Sequence, residues 1–278
     1  MKEVIYSRQN PRIREICGLA EKKKRRQTGL FRFDGIKLLR EALATELELV
    51  ELYVREPLEG HLSVLLEEAK KEGRLKEDMI VSVSESVFEK LSEEKAPEGV
   101  ITVAKQPIAL HRMMESRQID EYVRPNERLL LAESLRDPGN LGTVIRSCAA
   151  LGIDRLILSD DCADLYNPKT IRSAMGALFR LPTVTVLEGE LPRVITALRE
   201  SGRQVYAAAL REDAEEIGKL SLRRGDCFVI GNEGHGLCEA TVRACTGSAI
   251  IPMREGNESL NAAAAAAICI WETVRADA

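Results

Sequence analysis

The chain has 278 residues, the length of two ordinary domains, and its 45% hydrophobic and 30% charged residues are typical of a globular protein. No stretch offers the roughly 18 uncharged apolar residues of a membrane helix, and the N-terminal MKEVIYSRQN lacks the apolar core of a secretory signal. The net charge of −4 is unevenly distributed, because residues 1–40 hold twelve Lys and Arg against four Asp and Glu. Residues 41–278 therefore carry −12.

The basic residues are densest in EKKKRRQTG, residues 21–29. Such a run is most often the solvated face of a helix, but at one end of an acidic chain it also favours binding to a phosphate backbone. Seven cysteines and three histidines are scattered without a CxxC pair. This spacing argues against a zinc site or a disulfide framework, so we expect reduced thiols, no metal and a cytoplasmic protein.

The first hundred residues alternate short helices and strands. Residues 12–26 predict one basic amphipathic helix, which the apolar run LFRFDG follows. Helices are then predicted at IKLLREALA, HLSVLLEEAKKEG and ESVFEKLSEE, and strands at LELVELYVRE, MIVSVS and GVITVAK. This alternation predicts a small α/β domain over residues 1–107. Residues 108–126 lie in a weakly periodic stretch with prolines at both ends, and we interpret them as the interdomain linker.

A second alternation of strands and helices predicts another domain over residues 127–278. Its strands are RLLLAES, RLILSD, TVTVL, RQVYAAAL, DCFVIG and SAIIPM. Between them lie helical segments, among them NLGTVIRSCAALG, which ends at Gly152, and NPKTIRSAMGAL, which Asn167 and Pro168 introduce. Continuous apolar strands separated by helices predict a parallel sheet with helices on both faces.

Three loops of this second domain contain glycine and polar residues where ligands bind in open α/β sheets. They are ESLRDPGNLGTVIRS, VIGNEGHGL and IIPMREGNESLNAAAA. Each loop alone is explained equally well by glycine permitting a tight turn. The dinucleotide pattern GxGxxG and the P-loop pattern GxxxxGK[ST] are both missing from the sequence, which argues against a dehydrogenase and a P-loop nucleotidase.

Together, in order and spacing, the three loops resemble the signature motifs of the SpoU family of RNA ribose 2′-O-methyltransferases, within the SPOUT superfamily. The resemblance covers about residues 127–275, with Ala262 and Ala263 standing where relatives often have Val-Ser. The matching residues are Asn140, Arg146, Gly231, Asn232, Glu233, Gly234, Gly236, Ile251, Pro252, Met253, Ser259, Leu260 and Asn261.

The resemblance implies a parallel sheet whose C-terminal segment forms a deep trefoil knot, a topology that physical rules would not have suggested. It also implies S-adenosylmethionine as the methyl donor, without a metal, and a homodimer formed through the C-terminal domain. Alanine favours helices and permits close packing, which suits a last helix threaded into such a knot or simply covering an apolar sheet. The cofactor-binding residues that it implies are Gly231, Asn232, Ile251, Leu260, Met253, Ala209 and Leu210.

The catalytic residues that the resemblance implies are Arg146, Asn140, Glu233, Ser259 and Asn261. The family proposes the arginine as general base, but a guanidinium with a pKa above about 12 holds its proton strongly. Either its surroundings perturb it, or it stays charged, holds a phosphate and stabilises the developing alkoxide, which we favour. Glu233 and Ser259 also have ordinary structural explanations at helix N-termini.

The opening of the chain, SRQNPRIREICGLAEKKKRRQTGLFRFDG, resembles a ribosomal-protein-like substrate-binding domain found in many relatives. This domain favours ribosomal RNA of the large subunit as the substrate, by analogy. A transfer-RNA 2′-O-methyltransferase, a base methyltransferase and a non-catalytic RNA-binding protein are the alternatives. The predicted RNA-binding residues are Lys22, Lys23, Lys24, Arg25, Arg26 and Arg32.

Overall fold

The structure, a computed structural model, describes residues 4–58, 60–115, 119–187, 189–232, 234–254 and 259–276. The contacts divide the chain into two compact units. The first unit comprises Met1–Pro107 and Tyr166–Phe179, and the second comprises Ile108–Leu165 and Arg180–Ala278. Two segments thus differ from the contiguous domains expected from the sequence: residues 108–126 are part of the second unit, and residues 166–179 pack with the first.

The first unit is built on a four-stranded mixed sheet with the order β1-β4-β2-β3. Strand β4 pairs antiparallel with β1 and β2, and β2 pairs parallel with β3. Its strands are β1 Leu30–Asp34, β2 Leu49–Arg55, β3 Ile80–Val83 and β4 Val100–Lys105. Its helices are α1 Pro11–Gly18, α2 Lys22–Thr28, α3 Ile36–Leu43, α4 Gly60–Lys71, α5 Glu85–Leu91 and, from the second segment, α8 Pro168–Ala174.

The single basic helix expected over residues 12–26 is wrong, because the structure has two helices there. Helix α1 ends after Gly18, and the backbone N–H groups of Leu19, Ala20 and Glu21 donate to carbonyls three residues earlier. Arg25 explains why the chain turns at this point, since its Nη1 donates to the carbonyls of Leu19 (2.8 Å) and Ala20 (2.6 Å). The carbonyls at the turn between α1 and α2 therefore accept hydrogen bonds from the guanidinium of Arg25 in α2.

Helix α8 is held in the first unit by aromatic and charged side chains. The ring of Phe31 in β1 lies 4.9 Å from that of Tyr166 and 6.3 Å from that of Phe179, measured between centroids. Arg172 forms an ion pair of 2.6 Å with Glu94. An aromatic cluster of this kind contributes about 0.5–1.5 kcal/mol per ring pair beyond the area that it buries. Residues 166–179 therefore belong to this core although residues 108–165, which precede them in the chain, belong to the second unit.

The second unit is built on an eight-stranded sheet in which every described pairing is parallel, in the order β10-β12-β9-β11-β6-β7-β8-β5. Its strands are β5 His111–Met114, β6 Leu129–Ala132, β7 Arg155–Ser159, β8 Thr183–Val186, β9 Val205–Ala208, β10 Glu215–Glu216, β11 Cys227–Ile230 and β12 Gly247–Ile250. Its helices are α6 Ile119–Tyr122, α7 Pro138–Leu151, α9 Leu191–Glu200, α10 Glu239–Ala244 and α11 Ala262–Arg275.

Local signals explain where the helices of this unit begin and end. Asp137 caps α7 by accepting from the backbone N–H of Asn140 at 2.8 Å, and Gly152 ends the helix in the left-handed conformation with φ 84°.

The predicted α/β class with a parallel sheet and flanking helices is confirmed. Strand β5 corrects the linker predicted over residues 108–126, because His111–Met114 form an edge strand there. It pairs along its length with β8 at one edge of the sheet.

Helix α11 follows β12 and packs on α7 and β11. Six of its fourteen residues are buried, including Ala262, Ala263 and Ala266, whose small side chains bring the two helices close together. The alanine run is therefore a packing surface as well as a stable helix. Among the described residues, no helix has the length and apolar character required to cross a membrane.

Candidate active site

A cavity of about 640 Å³ lies at the carboxyl ends of β9, β11 and β12 in the second unit. Neighbouring parallel strands end at the same edge of a sheet, so the segments that follow them converge there. All seven residues predicted to bind a cofactor line this one cavity, and Ser259 lines it as well. These seven are Ala209, Leu210, Gly231, Asn232, Ile251, Met253 and Leu260.

Gly231 allows the second loop to fold back on itself. A Cβ atom built at this position would lie 2.4 Å from the carbonyl carbon of Gly236 and 2.6 Å from the backbone nitrogen of Leu237. These are backbone atoms, which cannot move aside as the end of a flexible side chain can. The loop therefore requires glycine at residue 231 for a steric reason, and Gly236 adopts a left-handed φ of 67°.

The side chain of Asn232 organises the same loop. Its Oδ1 accepts from the backbone N–H groups of Gly234 (2.8 Å) and His235 (3.2 Å), and its Nδ2 donates to the carbonyl of Ser134 at 2.9 Å. The backbones of Asn232 and Gly236 also exchange two hydrogen bonds, of 2.9 and 3.1 Å. Asn232 was predicted to bind the cofactor, and in this structure its amide holds the loop that lines the cavity.

A hydrogen bond joins the first and third loops. Asn261 Nδ2 donates to Asn140 Oδ1 at 3.0 Å, although 121 residues separate the two positions. The other end of the Asn261 amide caps α11, because Oδ1 accepts from the N–H groups of Ala263 and Ala264. Both residues were predicted to be catalytic. The structure brings them together beside the mouth of α11, where neither is among the residues that line the cavity.

Arg146 lies on the exposed face of α7 and does not line the cavity. Within the described part of the chain it has no hydrogen bond and no ion pair. Glu233, the remaining predicted catalytic residue, lies outside the described residues, as do Gly256 and Asn257 of the third loop.

Sequence reasoning missed a polar cluster that follows β6 and β7. Asp161 accepts from Ser134 Oγ (2.5 Å), Ser159 Oγ (2.6 Å) and Arg136 Nη2 (3.2 Å). Desolvation opposes ionisation of Asp161, but these three donors outweigh it and hold the pKa of the carboxyl below its usual value. Ser134, Arg136 and Asn140 belong to one quoted motif, whereas the aspartates in LSDDCAD carried no distinguishing signal.

A second missed cluster surrounds the carboxylate of Glu133, which is 8% exposed. It accepts from the backbone N–H of Cys238 at 2.7 Å and from the hydroxyl of Thr241. These bonds tie the end of β6 to the beginning of α10. A buried carboxylate is stable only when such donors compensate for lost hydration. Glu133 therefore holds in place the start of α10, which directly follows the second loop.

Two of the six residues predicted to bind RNA in the first unit are corrected. Arg25 is 2% exposed and donates to backbone carbonyls, as described above. Arg32 is 5% exposed and donates to the carbonyl of Leu91 and to Glu93, both at 2.7 Å. Their guanidinium groups are occupied inside the domain and cannot reach a phosphate. Lys22, Lys23 and Arg26 are exposed and Lys24 is half-buried.

No group of three or more His, Cys, Asp and Glu side chains that could hold a metal occurs in the described ranges. The free cysteines there are mostly buried; Cys17 is half-buried and Cys238 is exposed. For Cys227, burial raises the pKa of the thiol to about 12. Cys148, Cys245 and Cys269 also have thiol pKa values raised by burial. None of these buried thiols is a nucleophile near neutral pH.

Comparisons with known proteins agree with this geometry. The SpoU rRNA Methylase family matches residues 127–271, and the MRM3-like substrate binding domain matches residues 10–102. The 23S rRNA (guanosine(2553)-2′-O)-methyltransferase RlmP of Bacillus subtilis is 30% identical to this chain, over 96% of this chain and 97% of its own. It has nearly the same length, so both units are shared with that relative.

Two solved structures are similar over nearly their whole length. The AdoMet-bound rRNA methyltransferase from Sinorhizobium meliloti has a TM-score of 0.82 at 27% identity, covering 98% of this chain and 97% of its own. The SpoU methyltransferase AviRb from Streptomyces viridochromogenes, in complex with AdoMet, has a TM-score of 0.78 at 28% identity, covering 96% and 98%. The fold is that of the SPOUT methyltransferases. The chain belongs to the SpoU rRNA methylase family.

The close approach at Gly231 makes a testable prediction. Gly231→Ala should weaken binding of S-adenosylmethionine at least 10-fold, because the new methyl group would displace the backbone at Gly236 and Leu237. Gly234→Ala is the matched control, since its Cβ would meet only Asn232 Oδ1, at an ordinary 3.5 Å. Isothermal titration calorimetry measures both affinities. Equal affinities for the two variants would show that the folded-back loop does not shape the cofactor site.

The bond between Asn261 and Asn140 makes a second prediction. Asn261→Ser keeps an oxygen that can cap α11 but is too short to bridge to Asn140, whereas Asn261→Ala removes both functions. Both variants should lose methyl transfer at least 10-fold. Only the alanine variant should also lose about 1 kcal/mol of unfolding free energy, measured in urea. A fully active serine variant would show that the bridge has no role in the reaction.

Proposed function

We propose that this protein transfers a methyl group from S-adenosylmethionine to a ribose 2′-hydroxyl in ribosomal RNA of the large subunit. One observation carries the proposal: the segments after β9, β11 and β12 converge on a single cavity of about 640 Å³ beside the bonded pair Asn140 and Asn261. Relatives named for 23S rRNA 2′-O-methylation support the substrate class. We place the enzyme in the cytoplasm and its C-terminal segment in a trefoil knot, as in its structural relatives.

The cavity suits an adenosyl group in size and in chemistry. Small-molecule sites of about 300–1,000 Å³ are mostly apolar with a few polar groups that fix orientation. Ala209, Leu210 and Met253 supply apolar surface for the adenine, and the backbone groups near Gly231 and Ile251 supply donors and acceptors. The AdoMet complexes of the two similar structures support this assignment. We propose no metal in the site.

The bound cofactor supplies an electrophilic methyl group on a sulfonium, so the residues of this chain have to align the ribose oxygen and stabilise its charge. Alignment of two reacting groups can contribute up to about 7–11 kcal/mol of the barrier. Ser259 borders the cavity, and Asn261 and Asn140 are rigidly connected next to it. We assign to these three residues the positioning of the ribose, and to Glu233 the orientation of Arg146 or of the loop.

Arg146 is proposed to remain charged throughout. Its side chain is exposed on α7 and is unpaired within the described residues, so it can hold a phosphate of the RNA next to the reacting ribose. A guanidinium there would stabilise the alkoxide that develops as the 2′-hydroxyl loses its proton to water or phosphate. The exposed Lys22, Lys23 and Arg26 of the first unit, with the half-buried Lys24, would bind other phosphates of the same RNA.

The decisive experiment compares two RNA substrates. Protein and S-adenosylmethionine carrying a labelled methyl group should label large-subunit rRNA, and primer extension should locate the modified nucleotide. A transcript with a 2′-deoxynucleotide at that position should take up no label, because the accepting oxygen is missing. Arg146→Ala should bind the cofactor with wild-type affinity but transfer the methyl group at least 100-fold more slowly. Equal labelling of the deoxy transcript would identify a base methyltransferase instead.

We also propose that the protein is a homodimer whose contact includes α11. Ala264, Ile268 and Trp271 are spaced by four and three residues, so they share one face of the helix. Trp271 is 54% exposed on that face, which is unusual for so large an apolar side chain. The same helix packs on α7, which carries Arg146. A dimer through this surface would bring Arg146 next to a second copy of the chain.

Sedimentation equilibrium tests the dimer directly. The wild-type protein should sediment at twice the chain mass of 30.8 kDa, and Trp271→Arg should shift it towards the monomer because a charge would be buried in the contact. Leu187→Arg is a suitable control, since Leu187 is an exposed apolar residue far from α11 in the chain. A Trp271→Arg protein that sediments as the wild type does would show that α11 is not the contact.

A further inference from the structure

The carboxylate of Asp161 connects two loops of the site without touching the cavity. Its Oδ2 accepts from Ser134 Oγ at 2.5 Å and from Arg136 Nη2 at 3.2 Å, and its Oδ1 accepts from Ser159 Oγ at 2.6 Å. The Ser159 hydroxyl in turn accepts from the backbone N–H of Ser134 at 2.8 Å. Since Ser159 gives its only proton to Asp161, the two serines and the aspartate have one consistent set of donors and acceptors.

These bonds hold Ser134 in an unfavourable backbone conformation. Its φ of 55° lies in the left-handed region, where apart from glycine only Met175 is found among the described residues. A side chain makes this conformation costly, so it persists only where surrounding contacts enforce it. Here the backbone N–H and the hydroxyl of Ser134 are both held by the Asp161 cluster. Such strain is characteristic of functional sites.

The orientation of Ser134 determines where its carbonyl points. That carbonyl accepts from Asn232 Nδ2 at 2.9 Å, and Asn232 in turn organises the loop that lines the cavity. In the other direction along the chain, Ser134 leads within three residues to Asp137, which caps the helix containing Asn140. Ser134 therefore holds the loop of Asn232 through its carbonyl, and the chain after Ser134 leads directly to the cap of α7.

We propose that Asp161 is a positioning residue for methyl transfer: it fixes the left-handed turn at Ser134 and thereby the Asn232 loop that shapes the cofactor cavity. The inference rests on the proposed function, because it assigns Asp161 to the same cavity. Its carboxylate is suited to this role, since it is held ionised by the three donors. The amide of asparagine would place a donor where one of the serine hydroxyls has to donate.

The test is a set of matched variants assayed for S-adenosylmethionine affinity by calorimetry and for methyl transfer. Asp161→Asn should weaken cofactor binding about 10-fold. Asp160→Asn removes the same charge one residue away, and Asp160 has no hydrogen bond or ion pair to any described residue, so this control should bind as the wild type does.

A second group of variants tests the left-handed turn at Ser134. Glycine adopts a φ of 55° without strain, so adding Ser134→Gly to Asp161→Asn should restore most of the lost affinity. Adding Ser134→Ala instead should not, because alanine keeps the Cβ atom and loses the hydroxyl. Thermal unfolding of all variants separates this local effect from a general loss of stability, since glycine at Ser134 has no reason to rescue a globally weakened fold.

Three outcomes would overturn the inference. Wild-type affinity in Asp161→Asn would show that the carboxylate is not needed. A loss of affinity that Ser134→Gly fails to restore, or that Ser134→Ala restores equally, would show that the turn is not what Asp161 holds. Failure of the wild-type protein itself to bind S-adenosylmethionine would be different, because it would remove the proposed function and this inference with it.

Discussion

The site depends on the parallel register of neighbouring strands in the second unit. Strands β12, β9, β11, β6 and β7 are adjacent and point the same way, so the segments that follow them meet at one edge of the sheet. Hydrogen bonds join the segments after β7, β11 and β12 to the segment after β6, and the segment after β9 lines the same cavity. An antiparallel strand in the middle of this sheet would send its loop to the opposite edge and leave the cavity without one wall.

Hydrogen bonds between separate loops and helices fix the shape of the site. The amide of Asn261 joins α11 to α7, the amide of Asn232 joins the glycine loop to Ser134, and Glu133 joins β6 to α10. Each amide bond is worth only about 0.5–1.5 kcal/mol and the bond to the carboxylate about 1.5–3 kcal/mol, but each would leave a polar group unsatisfied if its partner moved. The cavity is therefore shaped by side chains that do not themselves have to touch the cofactor.

How far the sequence predicts this protein depends on the range of the interactions involved. Alternating apolar strands and helices, caps such as Asn167 and the stop at Gly152 are local. Apart from the single helix over residues 12–26 and the missed strand β5, the structure has these features where the sequence indicates. The seven proposed cofactor residues came from the resemblance of the three loops to the SpoU family, and they line one cavity. The resemblance to a family supplied their meaning, since the residue pattern alone allowed each glycine to be a simple turn.

Interactions between distant residues account for what was missed. The burial of Arg32 depends on the carbonyl of Leu91 at the end of α5, 59 residues away in the chain. The burial of Arg25 depends on two carbonyls that are free to accept only because α1 ends before them. Residues 166–179 join the first unit through aromatic contacts with β1, far away in the chain. The role inferred for Asp161 is of the same kind. Neither LSDDCAD nor ESLRDPGN identifies it, and only their adjacency after parallel strands does.

The two sides of the site differ in whether their polar side chains are already hydrogen-bonded within the described residues. On the cofactor side, both ends of the Asn232 amide hold the loop, and the backbone passes close to itself at Gly231. On the side of α7, Arg146 is exposed and unpaired within the described residues. In the proposed reaction, this exposed cation would attract a phosphate of the RNA while the hydrogen-bonded loop keeps the methyl donor in place. Under this proposal, the donor half of the site is built in advance and the acceptor half is completed by the RNA.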